Sequence, residues 1–227
     1  MIPASAIYLV KYSPLNTTEQ GQRAVARFGL SPYADGSCRR EPDFESQHPS
    51  ITALCRRELF APHLKEGDEV LYLTVKDFYG QTFKHRRVVA LLKVLKRFES
   101  HSGAARWYAA QGEKLPSNCM VPGNPPLPLT HTSRGAFNCA PGCGSGAATL
   151  KQWNAHYQKR ADEVPVFFAC KAVWKELTSP AILTDQAAFR ILKNWDRVRS
   201  RLPIKITAAE LQAITALASP PGTCPTA

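Results

Sequence analysis

The densest chemistry in the 227-residue chain lies in Cys38-Arg-Arg-Glu-Pro-Asp-Phe-Glu45, where two guanidiniums, three carboxylates and one aromatic ring share eight residues. Arg39 and Arg40 can grip phosphate in bidentate fashion, Asp43 and Glu45 can accept from a base edge, and Phe44 can stack on a base. The same charges can also pair with one another on a solvated loop. Trp107-Tyr108 is the second feature. Adjacent helical positions cannot both face one core, so one ring is expected near the surface, where it would serve as a stacking platform.

Cations form the third. Lys84, His85, Arg86 and Arg87 enter one apolar segment, and Lys93, Lys96 and Arg97 leave it. Arg190, Lys193, Arg197, Arg199, Arg201 and Lys205 lie in and after one helical stretch in which Asp196 is the sole acid. Such a stripe can lie along a phosphate backbone. Lys11, Arg40, Arg86, Arg87, Arg190, Lys193 and Arg197 are therefore the expected phosphate contacts. A solvated surface face is the alternative reading of the same charges.

Familiar catalytic signatures are missing. The chain has no G-x-x-x-x-G-K-[ST], no H-E-x-x-H and no nucleophile elbow, and Gly142-Cys-Gly-Ser-Gly146 has the wrong spacing for a dinucleotide turn. Cys119, His131, Cys139 and Cys143 supply enough soft ligands for tetrahedral zinc, but their spacing is not that of a known finger. No cofactor and no metal is expected. Seven cysteines, an odd count, argue against a closed disulfide framework.

With 29 Lys and Arg against 18 Asp and Glu, the formal charge is +11, which favours an anionic partner. No apolar run reaches the roughly 18–20 residues of a membrane span. The first ten residues are too short for a signal segment and Lys11 follows at once, so a cytoplasmic location without membrane contact is expected.

These side chains need elements to position them. Ala6 to Lys11 reads as a strand, residues 17–28 as a helix and Leu30 to Ser50 as a long loop. Ser50 caps an expected helix from Ile51 to Leu59. Glu69–Val75 and His85–Phe98 read as strands, the second nearly continuous in apolar residues, as for a strand buried on both faces or closing a barrel. Ser102 caps a helix from Gly103 to Gln111. Prolines at 116, 122, 125, 126, 128 and 141 make 114–146 an irregular excursion. Ala147–Ala161 is helical, Val166–Cys170 a buried strand, and Thr184 or Asp185 opens a helix through Arg199. Thr207-Ala-Ala-Glu210 is a capping box opening the last helix, and the chain after Ser219 frays.

The expected class is α+β, a small mixed β-barrel with flanking helices and a C-terminal helical extension. Residues 1–113 form its core, 114–146 a loop, 147–218 the last strand and helices of the same domain, and 219–227 a tail.

The first strand ending in Lys11-Tyr12-Ser13, the Cys38–Glu45 loop, Ile51-Thr-Ala-Leu-Cys-Arg56, Gly67-Asp-Glu-Val-Leu-Tyr-Leu-Thr74 and Arg87-Val-Val-Ala-Leu-Leu-Lys-Val94 follow one another in an order that resembles the PUA-like superfamily. Within it they are most similar to nucleotide-modification-associated domains and their EVE, ASCH and YTH relatives. The resemblance covers residues 6–113. It implies a β-barrel whose pocket accepts a flipped or modified base, lined here by Ser13, Cys38, Arg39, Asp43, Phe44 and Cys55, with Glu45, Trp107 and Tyr108 beside it. No Trp cage of the YTH type is present, and residues after 114 have no counterpart.

The function expected is a non-catalytic reader of modified DNA or RNA, within a modification or defence system that supplies partner proteins. One alternative is a base-modifying enzyme or nuclease using Asp43 or Glu45 as acid, base or metal ligand and Cys55 as nucleophile. The other is a protein-interaction subunit whose basic helix meets an acidic partner.

Overall fold

The computed structural model describes residues 5–134, 146–193, 195 and 203–218. In chain order the elements are β1 (Ile7–Tyr12), α1 (Glu19–Phe28), β2 (Ser50–Thr52), β3 (Glu69–Thr74), β4 (Arg86–Phe98), α2 (His101–Ala110), α3 (Gly146–Glu163), β5 (Phe167–Lys175), β6 (Ala181–Leu183), α4 (Asp185–Ile191), β7 (Ile204–Ile206) and α5 (Ala208–Ala218).

The strands make one seven-stranded sheet in the order β2-β5-β4-β3-β1-β7, with β6 on β4. β1 and β3 run parallel and every other pair is antiparallel. The expected barrel is therefore corrected to an open mixed sheet. Among the described residues β2 pairs only with Phe167–Ala169 of β5 and β7 only with Ile7–Leu9 of β1, so the two ends of the sheet do not meet.

Burial on both faces, rather than closure, explains the continuous apolar run of β4. Alternate residues of a strand point to opposite faces. Tyr8, Val10 and Tyr12 of β1 join Val70, Tyr72, Val89 and Leu92 in one cluster, while Leu9, Leu71, Leu73 and Val88 join Leu183, Ala188, Leu192 and Ile214 in the other. Register shifts at Tyr72/Leu73, Leu91/Leu92 and Val94/Lys96 let β4 serve both.

Three local expectations also change. Residues 51–59 are not a helix: Ser50–Thr52 is a strand, and only Arg57–Leu59 makes a short 3-10 turn. Ser50 exchanges both backbone hydrogen bonds with Asp43, and the Glu41 carboxyl takes the Thr52 N–H at 2.9 Å, which holds this stretch extended. Ser100, not Ser102, caps α2 by accepting from Gly103 N. The helix expected through Arg199 is α4, which ends at Ile191; Arg197, Arg199 and Arg201 lie outside the described residues. At the last helix, Glu210 accepts from Thr207 N and Oγ1 while Thr207 Oγ1 accepts from Glu210 N, a reciprocal cap.

Candidate nucleic-acid interface

The Cys38–Glu45 loop turns its chemistry inward. Arg39 donates to Asn154 Oδ1 of α3 and to the carbonyls of Ser117 and Asn124, both at 2.9 Å. Arg40, 2% exposed, donates to the carbonyls of Asp35, Ser37 and His131 and lies 3.4 Å from Glu45. A long loop carries many carbonyls that no ladder satisfies, and a guanidinium offers five N–H groups to them. Asp43 is saturated likewise: Oδ1 accepts from Glu45 N and Ser46 N, and Oδ2 from Ser117 N and Oγ at 2.8 Å. Phe44 is buried edge-on between Tyr12 and Tyr72, so neither face of its ring is open to a base. Cys38 is buried with Leu54, Met120 and Tyr157, and burial pushes its thiol up to about 11.

Trp107 and Tyr108 lie apart from that loop's arginines. Trp107 packs edge-on to His48 at 5.1 Å and against Phe98, and the buried Tyr108 donates to the His48 carbonyl. A cleft of about 630 Å³ does open beside the loop, between residues 40–47, 112–117 and 124–128. Its walls carry three acids, Asp43, Glu45 and Glu113, against Arg40 and Lys114, a balance that does not attract an anion. The zinc set does not assemble among the described residues: Cys119 Sγ lies 3.5 Å from the His101 carbonyl, and the His131 ring stacks on Phe28. Cys139 and Cys143 lie outside the described residues.

Positive charge converges instead where β1 ends. Lys11 is the last residue of β1 on the face that carries Leu9, and it pairs in register with Leu73, which pairs with Val88. Arg86, two residues before Val88, therefore shares the face and the end of the sheet with Lys11. It is 7% exposed, its guanidinium carbon sits 5.2 Å above the Trp195 ring, and its Nε and Nη1 make no hydrogen bond. After β2 the chain passes through Cys55, and Arg56 donates to the Lys11 carbonyl. From α3, Arg160 donates to the Leu54 carbonyl at 2.6 Å and lies over the Tyr157 ring. Lys11, Arg56, Arg86 and Arg160 thus reach one region from four elements or loops. Arg57 and Lys159 flank it and share Glu163.

The electrostatics agree with the geometry. Burial lowers the Lys11 amine to about 8, with the guanidiniums of Arg86 and Arg56 adding to the effect. Burial raises Glu41 to about 8 although Thr52 and Asn118 donate to its carboxyl, so at neutral pH it withholds its negative charge. Asp35 is raised as well, mainly by burial. Cys55 is open to solvent on one side, yet protein crowds the rest of it, and that burial raises its thiol, with Asp35 and Glu41 adding to the effect. A thiol so raised is a poor nucleophile at neutral pH.

Of the expected site residues, Lys11, Arg86, Cys55 and the exposed Ser13 lie at this end of the sheet. Arg87 is engaged elsewhere, donating to the Pro180 carbonyl at 2.8 Å, and Arg190 and Lys193 are exposed in and after α4. Arg56 and Arg160 were not foreseen. A strand-ending lysine is a visible signal, but nothing in the sequence reports that Arg56 folds back onto its carbonyl.

No protein-family model and no curated protein matches the chain. Among solved structures, the crystal structure of ASCH from Zymomonas mobilis is similar at 8% identity and a TM-score of 0.41, with 94% of this chain and 96% of that one covered. A likeness that remote carries no functional argument. No described helix is long and apolar enough to cross a membrane.

Proposed function

We propose that the protein binds nucleic acid through the cluster of Lys11, Arg56, Arg86 and Arg160. The carrying observation is the convergence of these four cations on one end of the sheet, where Arg56 is bonded to the Lys11 backbone and Arg86 lies on the same face. Phosphate oxygens bring negative charge to these four cations, and their binding releases counterions. The formal charge of +11 adds a long-range attraction for a polyanion.

A base pocket formed by the Cys38–Glu45 loop is not part of this proposal, because Phe44 is packed in the core and Arg39, Arg40 and Asp43 are bonded within the protein. Those residues hold the loop rather than a ligand. The proposal is for binding without an assigned reaction.

The test is titration of labelled single-stranded and duplex oligonucleotides at low salt with wild type, Arg56→Ala and Lys11→Gln. Removing one contact is expected to weaken binding about five- to tenfold, the scale of one ordinary hydrogen bond of about 1 kcal/mol. Equal affinity in wild type and both variants rejects the cluster as the interface.

A further inference from the structure

The cationic cluster continues along the sheet into a face that carries exposed rings. Beyond β3 and β4 the hairpin extends by one pair, Asp77 and His85, which exchange both backbone hydrogen bonds at 2.9–3.0 Å. In an antiparallel pair this sets Lys76 opposite Arg86 and Phe78 opposite Lys84, all four on one face. The Lys84 ammonium indeed lies 5.2 Å from the Phe78 ring centre. Lys76 is ion-paired to Asp185 at the start of α4, and Phe189 follows Asp185 by four residues, one turn along the same helix face. Phe78 is 47% exposed and Phe189 68%, the largest exposure among the large apolar residues described.

We propose that Phe78 and Phe189, with Lys84 opposite Phe78 and Arg86 linking them to the cluster, form a stacking platform for unpaired bases, so that the ligand is single-stranded nucleic acid. This rests on the reading of Lys11, Arg56, Arg86 and Arg160 as the phosphate-binding site.

Three features favour such a ligand over a protein surface. Cations sit beside the rings, with Lys84 over Phe78 and the exposed Arg190 next to Phe189. Asp185, the acid beside this face, is already paired with Lys76, whereas Asp77 alternates to the other side of the hairpin, where its Oδ1 accepts from Phe78 N at 2.8 Å. Arg86 belongs to both the platform and the cluster, so one strand can place phosphates on the cluster and bases on the rings. A phenyl ring accepts any base face, but only a base that is free of its complement.

Phe83 provides an internal control. It is 45% exposed, yet it turns toward the other side of the hairpin, its ring 5.2 Å from that of His85.

The experiment measures fluorescence anisotropy of the full chain with oligothymidylate and oligouridylate of about fifteen nucleotides, a duplex, and an abasic strand of equal length. Phe78→Ala and Phe189→Ala are each expected to weaken binding of the base-bearing strands about tenfold and to leave the abasic strand unaffected. Lys84→Gln should weaken all of them, and Phe83→Ala none. All three phenylalanines are exposed, and unchanged thermal unfolding verifies the fold. If the Phe78→Ala/Phe189→Ala double variant binds thymidylate like wild type, or duplex binds as tightly as single strand, the platform is rejected. The cluster reading survives that outcome as long as Lys11→Gln still weakens binding. If wild type binds none of the strands, the cluster reading falls and the platform with it.

Discussion

At the scale of single residues, Glu41 is the group most at odds with its surroundings. Burial raises its pKa to about 8, while Thr52 and Asn118 donate to the carboxyl and pull the other way. Between the ordinary carboxylate pKa of 4.5 and about 8 the folded protein keeps a proton that the unfolded chain has released. Stability from this group is therefore full below 4.5 and falls as the pH rises through about 8. His101 acts with the opposite sign: burial lowers it to about 4, so its contribution rises with pH between 4 and 6.5. Glu41→Gln keeps the shape and removes the titration, with Asn118 able to turn its amide to suit. Urea unfolding from pH 5 to 9 is expected to show the variant gaining on wild type as pH rises, by on the order of a few kcal/mol at the alkaline end. Parallel profiles would show that the carboxyl ionises freely in the fold.

At the scale of elements, α1 depends on a missing side chain. A Cβ on Gly21 would lie 1.6 Å from the Leu15 carbonyl oxygen and 3.3 Å from Ser133 Cα, both backbone atoms that cannot step aside. The helix seats so closely because the Gly21 face meets the turn at Leu15–Thr17. Gly21→Ala, which favours a helix by intrinsic propensity, is expected instead to destabilise the protein by about 2–3 kcal/mol, measured by thermal or denaturant unfolding. A stabilised variant would mean that α1 is free to shift. The Cys38–Glu45 loop makes the related point for irregular structure. Its sequence announces a loop, and its charges read equally well as a ligand site or as internal fastenings. Arg39 and Arg40 are fastenings because, besides the nearby Asp35 carbonyl, those of Ser117, Asn124 and His131 come within reach, and these three lie 78–91 positions further along the chain. Long-range partners of this kind leave no local trace.

At the scale of the whole molecule, β1, β3, β4, β5 and the helices were legible because each is long and carries its own period or cap. The strands β2, β6 and β7, three residues apiece, were not, since such short segments become strands only through their partners. Those same strands decide the architecture: the near-continuous apolar run of β4 fits a barrel and a two-faced sheet alike, and the separate pairing of β2 and β7 settles it as open. The site was half legible. Lys11 and Arg86 are conspicuous cations at strand ends, whereas Arg56 and Arg160 join them only through backbone contacts.

The most direct measurement of that site is the salt and pH dependence of oligothymidylate binding by wild type, Lys11→Gln, Arg56→Ala and Glu41→Gln. The account predicts a linear fall of log affinity with log salt, shallower by about 0.7 for each phosphate contact removed. It also predicts that wild-type affinity declines as the pH rises through about 8, where Lys11 loses its charge, and that this component is absent in Lys11→Gln but retained in Glu41→Gln. No binding at low salt, or the same salt slope in wild type, Lys11→Gln and Arg56→Ala, would contradict it.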